Sequence, residues 1–490
     1  MAAPGETEVK PQQPVKQDDK KKNKQKGDPC YPTDGKYTEK IKTAPKPQKT
    51  TTNLLRVLEE SYKHNQSINQ QRYATRATDE AIGQATSRFL PKLDAQVTFQ
   101  TREQRNSGAR RRLGLSQERL RQDTLGGNLT ITQSIYAGGA DVAARNAAEA
   151  RSRRDRFTLS KTEQNSLLQT VQSYMDVYTK AAEVRLREAN ADVLHKSYLA
   201  AKDKFDVGEE TRTAVAQALV SAEEAKAQLA TSKAELEGLR ASYEALTTTK
   251  PGKLARPTDL SRLLPVSLSS ALNKAKLQNP SLREAEANMY AARYDVEQRH
   301  GELLPKVDLS ASAGRTKDLK FNQRRIGFRT DKDKGTVSDR SAQLSVSWRV
   351  YNPEGYALKR QAHDTAEAQR VNRDNIQSQV MASVIAAWEN YIAAKANLSR
   401  FRARADAALV AYDGTREEVL VGNKTFLEEL RANAALINSR VDLLNAERAY
   451  FVAIYNLLAQ IGELTPEKLA LHVKTYNPFC HYENVKDAIL

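Results

Sequence analysis

Two short phrases introduce alternating apolar and polar positions. "FLPKLDAQVTFQ" begins at Phe89 and "LLPKVDLSASAG" at Leu303. In the first, Leu93, Ala95, Val97 and Phe99 alternate with Asp94, Gln96 and Thr98; in the second, Val307, Leu309, Ala311 and Ala313 alternate with Asp308, Ser310 and Ser312. A period of two predicts strands. Another strand is expected after each. Leu129, Ile131 and Ile135 alternate with Asn128, Thr130, Thr132 and Ser134. Ala342, Leu344, Val346, Trp348 and Val350 alternate with Gln343, Ser345, Ser347 and Arg349. Four strands of about nine residues result, the length that crosses a bilayer when tilted. Pro91 and Pro305 end the helix before each first strand.

Elsewhere the spacing is helical. Leu54, Leu55, Val57 and Leu58 open an amphipathic helix expected over about 51–87. Its counterpart, about 267–302, carries Leu268, Leu272 and Leu277, and Asn279-Pro280 should interrupt it. No proline occurs from 92 to 250 or from 354 to 465. Val215, Leu219, Ala222, Ala225, Leu229, Leu236, Leu239, Tyr243 and Leu246 form a coiled-coil seam. Leu427, Leu430, Ala434, Ile437, Val441, Leu444, Phe451, Tyr455 and Leu458 form another, broken only by Arg448. A helix from about 140 to 206 would be roughly 100 Å long. It should turn at Gly208 and return from about 212; a second hairpin should turn at Gly422.

These patterns occur twice. Pro91 matches Pro305, Tyr136 matches Tyr351, and Gly208 matches Gly422, at offsets of about 214 residues. The reading is a duplicated unit, 51–250 and 265–465, joined by a Pro- and Thr-rich linker, 251–264. A Lys- and Pro-rich tail, 1–50, is expected to be disordered. No role follows for the tail 466–490. Between paired strands, 101–127 and 315–341 read as long basic loops.

Charge sharpens this picture. The net charge is +17, yet residues 1–50, 101–127 and 315–341 hold +5, +4 and +5, leaving the helices nearly neutral. That argues against a helix that grips nucleic acid. Abundant charge with few aromatics favours long helices over a compact enzyme. No run of 18 apolar residues exists. No apolar h-region stands near Met1, so the expectation is either a mature form or a chain that is not exported. The two cysteines, Cys30 and Cys480, are either a disulfide joining the tails or unpaired thiols. The six histidines show no metal-ligand spacing, and neither a phosphate loop nor a nucleophile elbow appears. No catalytic, cofactor or metal residue is assigned.

Four strands cannot close a barrel, and an open edge in lipid leaves backbone groups unpaired at several kcal/mol each. Strands from several chains must therefore join. Three chains would supply twelve strands and a ring of twelve long helices around a channel.

At this point "LPKLD", "LPKVD", "TQSIYAGG", "FDVGEETRTAVAQA" and "LVGNKTFLEEL", in order across about 51–465, resemble the TolC-like outer membrane exit ducts. The resemblance implies an α+β membrane protein: a homotrimer whose 12-stranded barrel continues into a periplasmic α-helical tunnel. It implies a passive exit duct of a tripartite efflux pump or type I secretion system. The partners implied are a periplasmic adaptor, an inner-membrane RND pump or ABC exporter, and outer membrane lipid. In the family, an Arg near the second turn latches the entrance and Asp rings line it. These positions fall on Lys424, Glu428 and Arg431, the last a charge reversal; Val419 and Ala214 stand where the family has Tyr and Asp. Glu428 and Arg431, three apart on one helix, are a candidate replacement pair, within a chain or across the three-fold axis. Glu429 and Arg212 read either as gate charges or as solvated helix ends. Arg110, Arg111 and Arg112 either meet lipopolysaccharide phosphates or keep a loop soluble. Tyr136, Trp348 and Tyr351 either form an aromatic girdle or pack internally. The rival function is a non-exported coiled-coil scaffold whose basic tail binds nucleic acid or membrane lipid.

Overall fold

The structure, a computed structural model, describes residues 52–106, 118–324 and 335–486. The chain runs α1 (Leu54–His64), α2 (Gln66–Thr86), β1 (Lys92–Asn106), β2 (Glu118–Ala137), α3 (Ala140–Asp206), α4 (Arg212–Thr247), α5 (Leu268–Gln278), α6 (Pro280–Gly301), β3 (Lys306–Arg324), β4 (Thr336–Ser347), α7 (Pro353–Leu420), α8 (Phe426–Ile461) and α9 (Pro478–Lys486). Both long hairpins lie where their seams and glycine turns place them.

The single helix expected over 51–87 is two. Asn65 leaves the helix with ψ 125° and its side chain caps the next one, accepting from the amides of Ser67 and Ile68. Asn279 does the same for Ser281 and Leu282, with Pro280 at the first helical position. Each asparagine also donates to a carbonyl near the end of its own repeat's return helix: Asn65 to Leu246, Asn279 to Gln460. Duplication thus extends to individual hydrogen bonds. One helix end has diverged. Gly462 takes φ +92°, where a Cβ would lie 2.6 Å from the Gln278 carbonyl oxygen; its counterpart is Thr248, at φ 58°.

The strands are longer than the alternation marked. β1 to β4 span 15, 20, 19 and 12 residues, so much of the expected loops 101–127 and 315–341 is strand. The added stretches are mostly polar in sequence, which hides a period of two. In the other direction β4 stops at Ser347, so Trp348 and Val350 lie beyond it; the Trp348 indole N–H donates to the Leu303 carbonyl instead. Arg110, Arg111 and Arg112 lie outside the described residues, as does the tail 1–50.

The sheet is antiparallel with order β1-β2-β3-β4. β2 and β3 come from different repeats, and their pairing fuses the two units. Register puts Leu93, Ile131, Ala311 and Ala342 in one cross-strand row, and Ala95, Leu129, Ala313 and Arg340 in the next. Leu309 with Leu344, then Tyr136 with Val307 and Val346, continue that face downward. The opposite face carries Asp94, Thr130, Ser312 and Ser341, with Gln96, Asn128 and Asp339 in the row above. A 2.8 Å contact between the Ser312 and Ser341 hydroxyls confirms that these side chains share a side. One face is thus mostly apolar, with Gln133 and Arg340 as polar members, and the other polar.

Below the sheet, the main core joins both repeats: Leu58, Leu167, Val171, Tyr174, Ile454, Leu457 and Leu458 are fully buried. The expected linker is part of it. Thr52 bridges to Leu254, and the Tyr174 hydroxyl lies 2.6 Å from the Ala255 carbonyl oxygen and 3.0 Å from that of Thr52. Nor does the described part of the tail 466–490 hang free. α9 packs on α2, and Arg156 of α3 is held between the rings of Phe479 and Tyr482 at 4.6 and 4.4 Å.

Candidate functional site

Two regions of the fold stand away from the main core: the outer edges of the sheet and the tips of the hairpins.

Among the described residues, β1 and β4 are each paired on one side only. The apolar face next to them is bare, with Val97 80 % and Leu344 65 % exposed. Tyr136, Trp348 and Tyr351 are exposed as well, which removes internal packing within the chain as their role. Among the described residues, no helix is long and apolar enough to cross a membrane, and no group of three or more His, Cys, Asp or Glu can hold a metal. Exposed apolar side chains occur on the helices too, among them Val193, Leu199, Val220 and Val410, but those on the sheet lie mostly on one face, beside its edges.

At the tips, both turns use a left-handed glycine, Gly208 at φ +81° and Gly422 at φ +82°. Each return helix starts with a threonine cap. Thr211 accepts from the Ala214 amide, and Thr425 from the Glu428 amide. Glu428 completes a capping box: its carboxylate accepts from the Thr425 amide at 2.9 Å. That bond holds the carboxyl below its usual range, aided by the Thr425 hydroxyl. Within the chain Glu428 does not bond Arg431; its carboxylate serves the cap. Lys424 bonds Glu418 at 2.6 Å across its own turn, which raises its pKa. Val419 and Ala214 act through the backbone: the Val419 carbonyl accepts from Gly422, and the Ala214 amide donates to Thr211. Glu429 is the half-buried charge here, its pKa raised by desolvation against the pull of Arg416 and Lys204. Lys424, Glu428 and Arg431 are thus gathered at one turn, but the bonds of the first two stay inside their own hairpin.

Side-chain links between hairpins lie further up and escaped the periodicity. Asn433 donates to Asn190 at 2.8 Å. Arg448, the one break in the seam, pairs with Asp176 of α3. The signal for both was a polar residue on an inward-facing helical position. Cys480 is disulfide-bonded; Cys30 lies outside the described residues.

Comparison with known proteins agrees with this geometry. The chain is 31% identical to the outer membrane efflux protein BepC of Brucella suis over 435 residues, 89% of this chain and 90% of BepC. It is 22% identical to the outer membrane protein TolC of Escherichia coli, covering 85% of this chain and 83% of TolC. Its fold matches the CmeC outer membrane channel of Campylobacter jejuni with a TM-score of 0.74 at 16% identity, over 89% of each chain. The non-exported scaffold expected as a rival has no support in these likenesses. The sequence model described as "Outer membrane efflux protein" matches residues 57–247 and 271–463, most of each repeat, and the chain belongs to that family of outer membrane channels.

Proposed function

We propose that three copies of this chain form one exit duct: a shared 12-stranded barrel in the outer membrane, continued by a periplasmic tunnel of helical hairpins. The observation that carries this is the four-stranded sheet, mostly apolar on one face, polar on the other, and unpaired at both edges among the described residues. Each open edge in lipid costs several kcal/mol per unpaired backbone group, and pairing β4 of one copy with β1 of the next removes that cost. The duct holds no catalytic group and is passive. A periplasmic adaptor and an inner-membrane RND pump or ABC exporter supply cargo and energy, and the hairpin tips narrow the entrance. A Cys30–Cys480 bridge suits the oxidising periplasm. Purification from outer membranes should give a heat-modifiable trimer that conducts in planar bilayers; a stable monomer without current would overturn the proposal.

The two faces of the sheet make different predictions. Ile131→Arg puts a charge into the uncharged row of Leu93, Ala311 and Ala342 and should cost up to about 2–4 kcal/mol per chain, read as loss of trimer from the outer-membrane fraction. Thr130→Arg, one residue away on the polar face, should leave trimer yield near wild type and shift ion selectivity toward anions. Equal losses would show that the faces are assigned wrongly.

A further inference from the structure

We infer that the entrance is held closed by an asparagine bolt between α3 and α8, Asn190 with Asn433, and not by the charged residues at the turns. This rests on the duct reading above.

The charges at the second turn are engaged locally. Lys424 is bonded to Glu418 and Glu428 to Thr425, all within one hairpin. For the α7–α8 hairpin to swing away from the first hairpin, the seam between them has to part. That seam is made chiefly by α8: α7 packs on α8 and, nearer the sheet, on α5 and α6. Among the described residues, two side-chain hydrogen bonds cross from α8 itself to α3, Asn433 to Asn190 and Arg448 to Asp176.

These two bonds differ in place and strength. They are 15 residues apart on α8, about 22 Å at the helical rise. Arg448 lies beside the main core, close in sequence to Tyr450, which stacks on Tyr391 of α7 and meets Phe451 edge-on. Its bond is charge-assisted, roughly twice as strong as a neutral one. It therefore serves as the hinge that stays made. Asn433, 7 % exposed, is the neutral bond nearer the tip. One turn closer to the tip, Leu430 sits on Ala191, Leu194, Ala222 and Ala225. The three alanines let the helices approach, and the plug keeps water from competing for the amide pair. A neutral bond beside a small apolar plug, repeated in each of three chains, holds the tips together yet yields to a docking partner.

The test uses the full-length trimer in planar bilayers. Asn190→Ala and Asn433→Ala should each raise open-state occupancy about fivefold per bolt lost, the effect of one net hydrogen bond. The double variant should do no more than either single one, because both remove the same bond. Lys424→Ala should behave as wild type. Heat resistance of the trimer in detergent reports whether the variants fold. As a second readout, Asn190→Cys with Asn433→Cys, joined by a short reducible bis-thiol linker, should lower conductance until reductant is added. Asparagine variants that conduct like wild type while Lys424→Ala opens the channel would overturn the bolt, as would a cross-link without effect on current. A wild-type trimer that does not conduct would overturn the duct reading itself, and the bolt with it.

Discussion

Gly138→Ala is expected to destabilise each chain by about 3 kcal/mol or more, whereas Gly139→Ala should cost only about 1–2 kcal/mol. Both glycines have positive φ, +64° and +82°, at the turn from β2 into α3. Left-handed backbone penalises any Cβ at either place. The surroundings separate them. A Cβ on Gly139 would meet nothing within 4 Å, while one on Gly138 would lie 2.2 Å from the Gly301 carbonyl oxygen and 2.7 Å from Leu304 Cβ. A Cβ on Gly301 would in turn lie 2.5 Å from the Ala140 amide nitrogen and 2.7 Å from the Gly138 carbonyl oxygen, so the close approach is reciprocal. The end of α6 and the start of α3 thus touch backbone to backbone where sheet becomes helix. The second repeat makes the same corner without a positive φ: Asn352 caps Gly355 at 3.1 Å and Pro353 opens α7. Denaturant midpoints of the extracted trimer would decide. Equal losses for the two alanine variants would mean that strain alone, not the close approach, makes Gly138 necessary.

That corner shows what a single sequence can and cannot carry. Helix existence and length were legible, since apolar seams, proline-free runs and two turn glycines are local signals. The Asn65 break was not, because an asparagine within a helical pattern reads the same whether it caps or faces water. Strand ends were hidden for a related reason. Once a strand rises above lipid, both faces meet water and alternation stops, although the ladder continues. Of the tips, the turns and the cluster Lys424, Glu428 and Arg431 were visible, but their partners were not. Glu428 had two possible bonds within reach along the helix, and backbone capping won over a side-chain ion pair. Asn190 and Asn433 lie 243 residues apart, and only the fold brings them together.

Between about pH 4.5 and 7 the wild-type chain is expected to lose about 3 kcal/mol of stability relative to Glu163→Gln. Burial pushes the Glu163 carboxyl up to about 7, and nearby Glu467 adds to the rise. Arg72 of α2, 3 % exposed, opposes it at 3.6 Å but does not cancel the desolvation. The guanidinium is already shared: it donates to Asn69 and to the Tyr62 carbonyl, and lies over the rings of Tyr62 and Tyr476 at 4.7 and 5.3 Å. A carboxyl whose folded pKa is raised keeps its proton in the folded state while the unfolded chain releases it. Stability is therefore highest below the unfolded value, falls as pH rises toward 7, and is flat above. The absolute effect of Glu163→Gln at one pH mixes two opposite changes, relief of a buried anion and loss of a partner for Arg72. The pH slope isolates the first. Unfolding midpoints of wild type and Glu163→Gln at pH 4, 6 and 8 should diverge in favour of the variant as pH rises. Parallel curves would mean that Glu163 is already ionised throughout, and that Arg72 compensates its burial completely.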